Sequence, residues 1–404
     1  MLEKSIDLRA YQIQVKHELI HNILPLHIEI GIDHQNGGFY GLITNQRSIQ
    51  TDAPKGLVHH TRLLWTYAQT YRILGDPIYL ETATRAYQYL IKSFWDQDQG
   101  GFYWMLDHRG KPIDTRKLTY GQAFAIYGLS EYARLTKQDK PLSRAIELFS
   151  QLENQMLDQD QRGYFDAADR NWQIYTGDSV DQVPAAKTMN THLHLLEAYT
   201  NLLRVWNDDG LRQSLGELIQ IMLDYVIDHK TGHFKLHFDA GWQSLSEHIS
   251  YGHDIEGSWL LVEAAEVLGD AALLATVKPI ALKMAQATLE KAVDADGGIF
   301  YEGNPQGVTD SEKVWWPQAE AMVGFLNAYQ LSHAPHYLNA SYRVWEFVQT
   351  QISDHQYGEW LWSAPDGSIP PNQEKVSPWK APYHNGRACM EIMQRVDQLL
   401  GRAD

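Results

Sequence analysis

The chain has 404 residues, and its 34 basic against 50 acidic side chains give a formal net charge of −16. With 44% apolar and 21% charged residues, its composition is typical of a folded globular protein and excludes a disordered or collagen-like chain. The acidic balance argues against a nucleic-acid partner, because phosphate binding needs clustered Lys and Arg. The single cysteine, Cys389, excludes an intramolecular disulfide and favours a reducing compartment.

The segment Met1–Asp7 has no basic region followed by an apolar run, as a secretory signal would have. No uninterrupted apolar stretch reaches the ~20 residues of a membrane span. We therefore expect a cytoplasmic protein that binds neither a membrane nor nucleic acid. For the oligomeric state we expect a monomer or a weak homodimer.

A glycine followed by aromatic residues recurs six times along the chain. The copies begin at positions 37, 100, 162, 232, 297 and 357. The first two, Gly37–Tyr40 and Gly100–Tyr103, are clear, whereas the third and the sixth are degenerate. Near-even spacing of this kind indicates a repeated supersecondary unit.

Each interval between two copies predicts a pair of helices. In the first interval the helices run from about Leu57 to Leu74 and from Pro77 to Phe94. Gly75 is suited to ending the first helix and Asp76 to capping the second. The first helix of a pair is apolar nearly all round, which predicts burial, and the second has one apolar face.

This alternation predicts an inner ring of helices sheathed by an outer ring. The terminal pieces, about Leu8–Ile23 and Asn385–Leu400, supply the twelfth helix and close the ring. We therefore predict an all-α fold, an (α/α)6 barrel of six helix pairs, as a single domain over residues 1–404. The glycine-aromatic segments are expected to form short β-hairpins at one end.

The unusual polar residues lie at the beginnings of the predicted inner helices. Since inner and outer helices alternate, these beginnings share one rim and converge on a concave pocket, the usual form of a small-molecule site. These candidates are Arg62, Tyr120, Asn190, His194, His253, Glu256, Trp316, Glu320 and His384. Trp379, in a loop rich in Ser and Pro, is suited to stacking on a sugar ring.

Several neighbouring residues have simpler interpretations. His192 and His194 cannot share one face of a helix, so one of them is expected outside the pocket. Trp65, Trp259 and Trp345 are expected in the helix core. His253 and Glu256 have the spacing of two metal ligands, but the chain has no His-Glu-x-x-His run and no cysteine pair, so we expect neither a metal nor a cofactor.

Five groups of segments together resemble the N-acylglucosamine 2-epimerase family, and within it the cellobiose 2-epimerase branch. They are Arg62–Trp65; Thr188–Asn190 with Leu193–Leu195; Ser250–Glu256 with Ser258–Leu260; Val314–Ala321; and Pro378–Lys380 with Pro382–Arg387. The resemblance covers nearly the whole chain in order. It implies an (α/α)6 barrel that interconverts the glucose and mannose configurations at C2 of a reducing-end sugar without a metal.

By position, the resemblance implies acid/base roles at C2 for His253 and His384. It implies contacts to the sugar oxygens O1 and O2 for His194 and Arg62. The residues implied to position the substrate are Tyr120, Asn190, Glu256, Trp316, Glu320 and Trp379. We also expect Glu256 to orient His253 or to raise its basicity.

These residue types suit the chemistry of C2 epimerisation. The sugar ring opens, the proton beside the aldehyde is removed, and a proton returns to the other face of the planar enediol. Histidine titrates near neutrality and therefore suits both proton transfers. An arginine such as Arg62 stabilises the oxyanion that develops between them.

Three other functions remain compatible with the same residues. An aldose–ketose isomerase uses the same enediol but returns the proton to C1. An inverting glycoside hydrolase needs two carboxylates roughly 6.5–9.5 Å apart, which Glu256 and Glu320 would supply. A carbohydrate-binding module would use the aromatic rings and leave the histidines without a role. Among epimerase substrates, cellobiose and related β-1,4-linked disaccharides are preferred to the monosaccharides glucose and mannose.

Overall fold

The computed structural model describes residues 6–401, so most of the Met1–Asp7 segment considered above lies outside it. Thirteen α-helices lie within this range. They are α1 (Leu8–Glu18), α2 (Pro25–Glu29), α3 (Leu57–Leu74), α4 (Pro77–Tyr89), α5 (Thr119–Thr136), α6 (Asp139–Gln155), α7 (Met189–Leu203), α8 (Asp209–Ile221), α9 (Tyr251–Leu268), α10 (Ala271–Lys291), α11 (Trp315–Ser332), α12 (Pro335–Phe347) and α13 (His384–Leu399). Single π-helical turns extend α1, α4, α8 and α12.

Short antiparallel strands connect the helix pairs. They are β1 (Ile43–Thr44), β2 (Lys55–Gly56), β3 (Met105–Leu106), β4 (Pro112–Asp114), β5 (Lys117–Leu118), β6 (Ala167–Ala168), β7 (Lys187–Thr188), β8 (His237–Phe238), β9 (Ile249–Ser250), β10 (Glu302–Asn304), β11 (Gly307–Asp310) and β12 (Glu374–Val376). Two sheets have three strands, in the orders β2-β3-β4 and β9-β10-β11. The other three are the pairs β1-β12, β5-β6 and β7-β8.

The helices form two concentric rings. In the inner ring, α3, α5, α7, α9, α11 and α13 each contact the next helix, and α13 contacts α3 to close the circle. In the outer ring, α4, α6, α8, α10 and α12 each pack on the inner helix that precedes them, and α1 packs on α13. The predicted (α/α)6 barrel is therefore confirmed, with the two chain ends completing the sixth pair.

Local sequence accounts for the helix boundaries. Gly75 adopts a φ of 75° directly after α3, a conformation that an L-residue rarely adopts. The Asp76 side chain accepts the backbone N–H of Ile78, and Pro77 occupies the first position of α4, where its missing N–H costs nothing. Strands β2, β5, β7 and β9 lead directly into inner helices, so the small sheets and the beginnings of these helices share one end of the barrel.

The glycine-aromatic segments are short antiparallel reversals of the chain. Each is a tight turn closed by a single bridge, such as Ile32 with Phe39 or Trp95 with Phe102, and the paired strands follow it in the chain. Gly37 and Gly38 both have positive φ, so the chain reverses too sharply to continue a ladder. The short hairpins expected at one end of the barrel are therefore present, each reduced to a turn that one antiparallel bridge closes.

An aspartate begins each turn, and in five of the six turns its carboxylate binds a lysine, which is buried in every case but that of Lys313. Lys187 illustrates the arrangement: its ammonium donates to Asp158 (2.8 Å) and to the carbonyl oxygen of Arg162 (2.7 Å). The other pairs are Lys55–Asp33, Lys117–Asp96, Lys313–Asp294 and Lys375–Asp354. Four of these lysines lie in short strands, and Lys313 lies shortly before α11, so each ion pair connects a turn to another part of the chain.

Replacing Lys187 by methionine is expected to destabilise the protein by about 3–5 kcal/mol, because the Asp158 carboxylate then stays buried without a cation. Urea unfolding at neutral pH measures this change. Glu217→Gln is the control, since it removes a surface ion pair with Arg162 and should cost less than about 1 kcal/mol. Equal destabilisation by the two changes would contradict the prediction that the buried Lys187–Asp158 pair contributes more to stability than the surface pair.

No helix in the described part of the chain is long and apolar enough to cross a membrane.

Candidate active site

The first turns of the inner helices direct side chains in two directions. Gln318 of α11 accepts the backbone N–H of Ile299 in the preceding glycine turn (2.8 Å), and Glu320, two residues on, enters a buried polar cluster. Residues two apart on a helix lie about 200° apart around its axis. The same spacing relates His192, which accepts the N–H of Tyr164, to His194. Of these two histidines, His192 is thus the one held outside the pocket.

Three histidines come together at this end of the barrel, each held through Nδ1. His194 binds Glu197 (2.9 Å), His384 binds Glu320 (2.7 Å) and His253 binds the hydroxyl of Ser250 (2.7 Å). In each ring Nε2 is the nitrogen left for a substrate. A carboxylate only accepts, so His194 and His384 carry their proton on Nδ1 when neutral, whereas a serine hydroxyl permits either tautomer of His253.

Aromatic rings pack against these histidines. The Trp316 ring contacts both His253 and His384, at ring-centroid distances of 4.7 and 5.5 Å. Tyr120 meets His194 edge-on at 5.0 Å and is also 6.0 Å from Trp379. Trp316 and Trp379 are only half-buried, so both rings have a face available to a ligand.

Arg62 is a buried cation beside the three histidines. Its guanidinium donates to the hydroxyl of Tyr120 (3.0 Å) and to the backbone carbonyl of Trp379. It stacks on the rings of Phe124 and Tyr383, at 4.7 and 5.0 Å. None of these partners is an acid, which leaves the charge of Arg62 free to act on an anionic group.

A second arginine, Arg387, lies at the centre of a cluster that the sequence did not reveal. Its guanidinium donates to Glu256 (2.5 Å), to Glu320 (2.7 Å) and to Glu197. All four side chains are buried. The hydroxyl of Tyr383 donates to Glu197, and the Trp259 indole, expected only in the core, donates to Glu320 (3.1 Å).

Three carboxylates share this one guanidinium. Burial, and then the neighbouring Glu320 carboxylate, raise the pKa of Glu256 well above its usual range. Burial also raises the pKa of Glu320. Glu197 is opposite: although burial opposes it, Arg387 and His194 hold its pKa at about 2. Burial thus disfavours the charged forms of Glu256 and Glu320, while Arg387 and His194 favour the charged form of Glu197.

The expected role of Glu256 is not what the structure shows. Its carboxylate binds Arg387, and the nearest imidazole nitrogen is Nδ1 of His384, at 4.0 Å. His253 is held by Ser250 instead. Glu256 therefore does not orient His253. Its carboxylate binds the buried Arg387 guanidinium instead, because a charge-assisted hydrogen bond is stronger than one to a neutral imidazole.

The segment before β7 contributes one more acid. Asp181 accepts the side-chain amide of Asn190 (2.8 Å) and binds His237 through Nε2 (3.2 Å). The amide oxygen of Asn190 is buried and has no partner among the described residues. Asn190 therefore presents a fixed acceptor, and Asp181 is a further residue missed in the sequence, where nothing distinguished it from the loop acids around it.

One group of side chains in residues 6–401 has the separation of metal ligands: Glu256, Glu320 and His384. The same carboxylate oxygens, Oε1 of both glutamates, already bind the Arg387 guanidinium. A divalent ion at this point would meet a fixed positive charge. The donor set therefore fits a metal poorly, and metal independence stays our prediction.

Burial keeps the three pocket histidines neutral. It lowers the pKa of His253 to about 4, against an opposing contribution from Asp181. It lowers the pKa of His384 well below the usual value, and Arg62 and Arg387 add to the effect. Burial lowers the pKa of His194 as well, although Glu197 opposes it. At neutral pH each ring is therefore able to accept a proton.

A family model described as N-acylglucosamine 2-epimerase (GlcNAc 2-epimerase) matches residues 37–388. The chain belongs to this family. A cellobiose 2-epimerase of Bacteroides fragilis is 44% identical over 384 residues, which are 94% of this chain and 98% of that protein. A second one, from Dictyoglomus turgidum, is 37% identical over 97% of this chain and all of that protein. As a member of this family the chain is a carbohydrate epimerase, an isomerase.

Solved structures of the family have the same barrel. The cellobiose 2-epimerase of Bacillus thermoamylovorans superposes with a TM-score of 0.91 at 37% identity, over 96% of this chain and 100% of that one. A structure titled D-mannose isomerase gives a TM-score of 0.80 at 22% identity, over 96% of both chains. A family 76 α-mannanase of Bacteroides thetaiotaomicron gives 0.64 at 11% identity, over 98% of both chains, and so shares the fold alone. The hydrolase alternative is thus not favoured.

Proposed function

We propose that the protein interconverts the glucose and mannose configurations at C2 of the reducing-end unit of cellobiose and related β-1,4-linked disaccharides. His253 and His384 exchange the C2 proton, and the reaction passes through a cis-enediol after ring opening. The observation that carries the proposal is that two neutral imidazoles, those of His253 and His384, both contact the ring of the half-buried Trp316. A sugar bound at that ring lies within reach of both bases.

The partners of the two imidazoles support this division of labour. His384 bears its proton on Nδ1, toward Glu320, so Nε2 accepts a proton from carbon, and the carboxylate stabilises the imidazolium that forms. His253 binds a hydroxyl that both donates and accepts, so it either takes or returns a proton. The reverse reaction uses the two rings in exchanged roles.

Arg62 and His194 provide the electrostatic part of the mechanism. Removing the C2 proton moves negative charge onto the aldehyde oxygen, and a fixed cation in a buried site stabilises that charge without reorganisation. Arg62 meets this requirement because its bonded partners are neutral. His194, oriented by Glu197, then binds the adjacent hydroxyl at O2.

The remaining predicted residues hold the sugar in this position. Tyr120 and Asn190 offer a hydroxyl and an unpartnered amide oxygen, and the Trp316 ring takes the apolar face of the sugar. Glu256 and Glu320 act through Arg387 and His384. A cavity of about 400 Å³ beside Trp379, lined also by Trp104, Arg116 and Asp178, offers room for a second pyranose, which favours a disaccharide.

One experiment tests the reaction and its independence of metal. The protein is incubated with cellobiose, and separately with glucose, in D2O containing a chelator, and the sugars are followed by NMR. We expect deuterium at C2 and a mannose-configured reducing end from cellobiose, at the rate seen without chelator. A ketose product would show that the protein is an isomerase of the aldose–ketose type, and free glucose from cellobiose would show that it is a hydrolase; either result would contradict the proposal. Loss of turnover in the presence of chelator would contradict metal independence.

A further inference from the structure

The fourth glycine turn differs from the other five in its cation. In four of those five, a lysine stands five residues before the inner-helix residue that binds the turn, as Lys187 does before His192. In the fourth turn that residue is Asp254, and five residues before it stands Ile249. The aspartate that begins this turn, Asp228, therefore has no lysine from the strand.

A histidine within the turn forms an ion pair with the inner helix instead. His233 occupies the second-glycine position of the turn, and its Nδ1 binds the carboxylate of Asp254 at 2.7 Å. The other oxygen of Asp254 accepts the backbone N–H of Phe234, also at 2.7 Å. The neighbouring lysines Lys235 and Lys283 donate to backbone carbonyls and do not replace it. Asp254 is fully buried.

The surroundings of His233 favour its charged form. Burial works to lower the pKa of His233, but Asp254, and then Asp228, outweigh it and raise that pKa above the usual value, against a smaller opposing effect of Lys291 on α10. On α9 the ring of Tyr251 is the other neighbour, at 6.1 Å. Burial meanwhile raises the pKa of Asp254. A cavity of about 1110 Å³ beside His233 admits solvent protons.

This ion pair holds the start of the helix that bears His253. Asp254 is the next residue, in the first turn of α9, and Ser250, which binds His253, directly precedes that helix. When His233 loses its proton, the Asp254 carboxylate remains buried without a cation. The first turn of α9 then loses its ion pair with the glycine turn. Because His233 has a raised pKa, the attachment is complete below about pH 6.5 and is lost as the pH rises through that pKa.

We propose that His233 is a positioning residue for epimerisation: its ion pair with Asp254 anchors the first turn of α9, which carries His253, and the anchor weakens at alkaline pH because the cation is an imidazolium where the other turns use a lysine ammonium. The inference rests on the proposed role of His253.

The test is amide hydrogen exchange of the first two turns of α9, in the enzyme without sugar, at about pH 6 and about pH 9. In the unaltered protein we expect the protection factors to fall roughly tenfold between these values, the size of a lost charge-assisted hydrogen bond. His233→Gln should have the lower protection at both pH values. Asp254→Asn keeps an acceptor for Phe234 and needs no cation, so its protection should not change with pH.

His192→Gln is the matched control, since glutamine performs the same task in α5 and α11. It should retain the alkaline fall. We also expect His233→Gln to lower kcat and leave KM within about twofold, because the pair positions a base and does not contact the sugar. An unaltered protein whose protection does not fall, or a His233→Gln variant that falls as much, overturns the proposal. Exchange is read without substrate, so a failure of the epimerase assay leaves this result independent, and Asp254→Asn decides the matter if His233→Gln does not fold.

Discussion

Replacing His384 by asparagine is expected to lower kcat for epimerisation by about 10²–10⁴, because a positioned acid/base group contributes that much to a proton transfer. The same is expected of His253→Asn. At both positions asparagine retains a polar group toward Ser250 or Glu320. The fold should therefore survive, as circular dichroism and thermal unfolding will show.

Isotope exchange makes this prediction sharper than loss of rate alone. If the two histidines act on opposite faces of C2, a variant that lacks one of them still exchanges the C2 proton of the epimer that faces the other, and regenerates the same sugar. In D2O we therefore expect deuterium at C2 of one epimer only, without conversion. His192→Gln, which alters a buried histidine bound to Tyr164, should remain active. Substantial epimerisation by either asparagine variant would contradict the assignment.

Replacing Arg387 by methionine is expected to cost at least about 3–5 kcal/mol of stability, because three carboxylates then share a buried site with no cation. Glu197, Glu256 and Glu320 all lose a direct ion pair. Arg387→Lys keeps the charge but lacks the planar guanidinium that binds three acids at once. Its stability should therefore lie between that of the unaltered protein and that of Arg387→Met. Denaturant unfolding of the three proteins measures the order.

The pH dependence identifies the cause of that loss. Without Arg387, burial raises the pKa of each of the three carboxyl groups above its unfolded value, including that of Glu197, now held at about 2. A carboxyl with a raised pKa costs stability above its unfolded pKa, so the variant should be least impaired at acid pH and increasingly impaired toward neutrality. A deficit independent of pH would mean that lost packing against Trp259 and Tyr383, and not charge, explains the effect.

The helices and their order were predictable because their signals are local. Gly75, Asp76 and Pro77 end one helix and begin the next whatever surrounds them, and all-round apolarity marks an inner helix by itself. The glycine turns were predictable for the same reason. Their sequence shows that the chain reverses, whereas the number of residues that pair across each turn depends on the backbone path.

The pocket was predictable as a place and less so as a set of contacts. Arg62, Tyr120, Asn190, His194, His253, Glu256, Trp316, Glu320, Trp379 and His384 all lie at the end of the barrel where the inner helices begin. Arg387 was passed over, although it stands three residues after His384 on the same helix and Glu197 three after His194. The i, i+3 spacing of His194 and Glu197 is a signal that would have revealed part of the cluster.

By itself the sequence determined the number of repeats, the alternation of inner and outer helices, the end at which polar side chains collect, and the family. These follow from periodicity, caps and motifs, which depend on residues close together in the chain. Only the tertiary structure decided that Glu256 binds Arg387 and does not orient His253, and that His233 of the fourth turn pairs with Asp254. A buried charge takes whichever opposite charge lies within bonding distance, and that distance is set by helices far apart in the sequence.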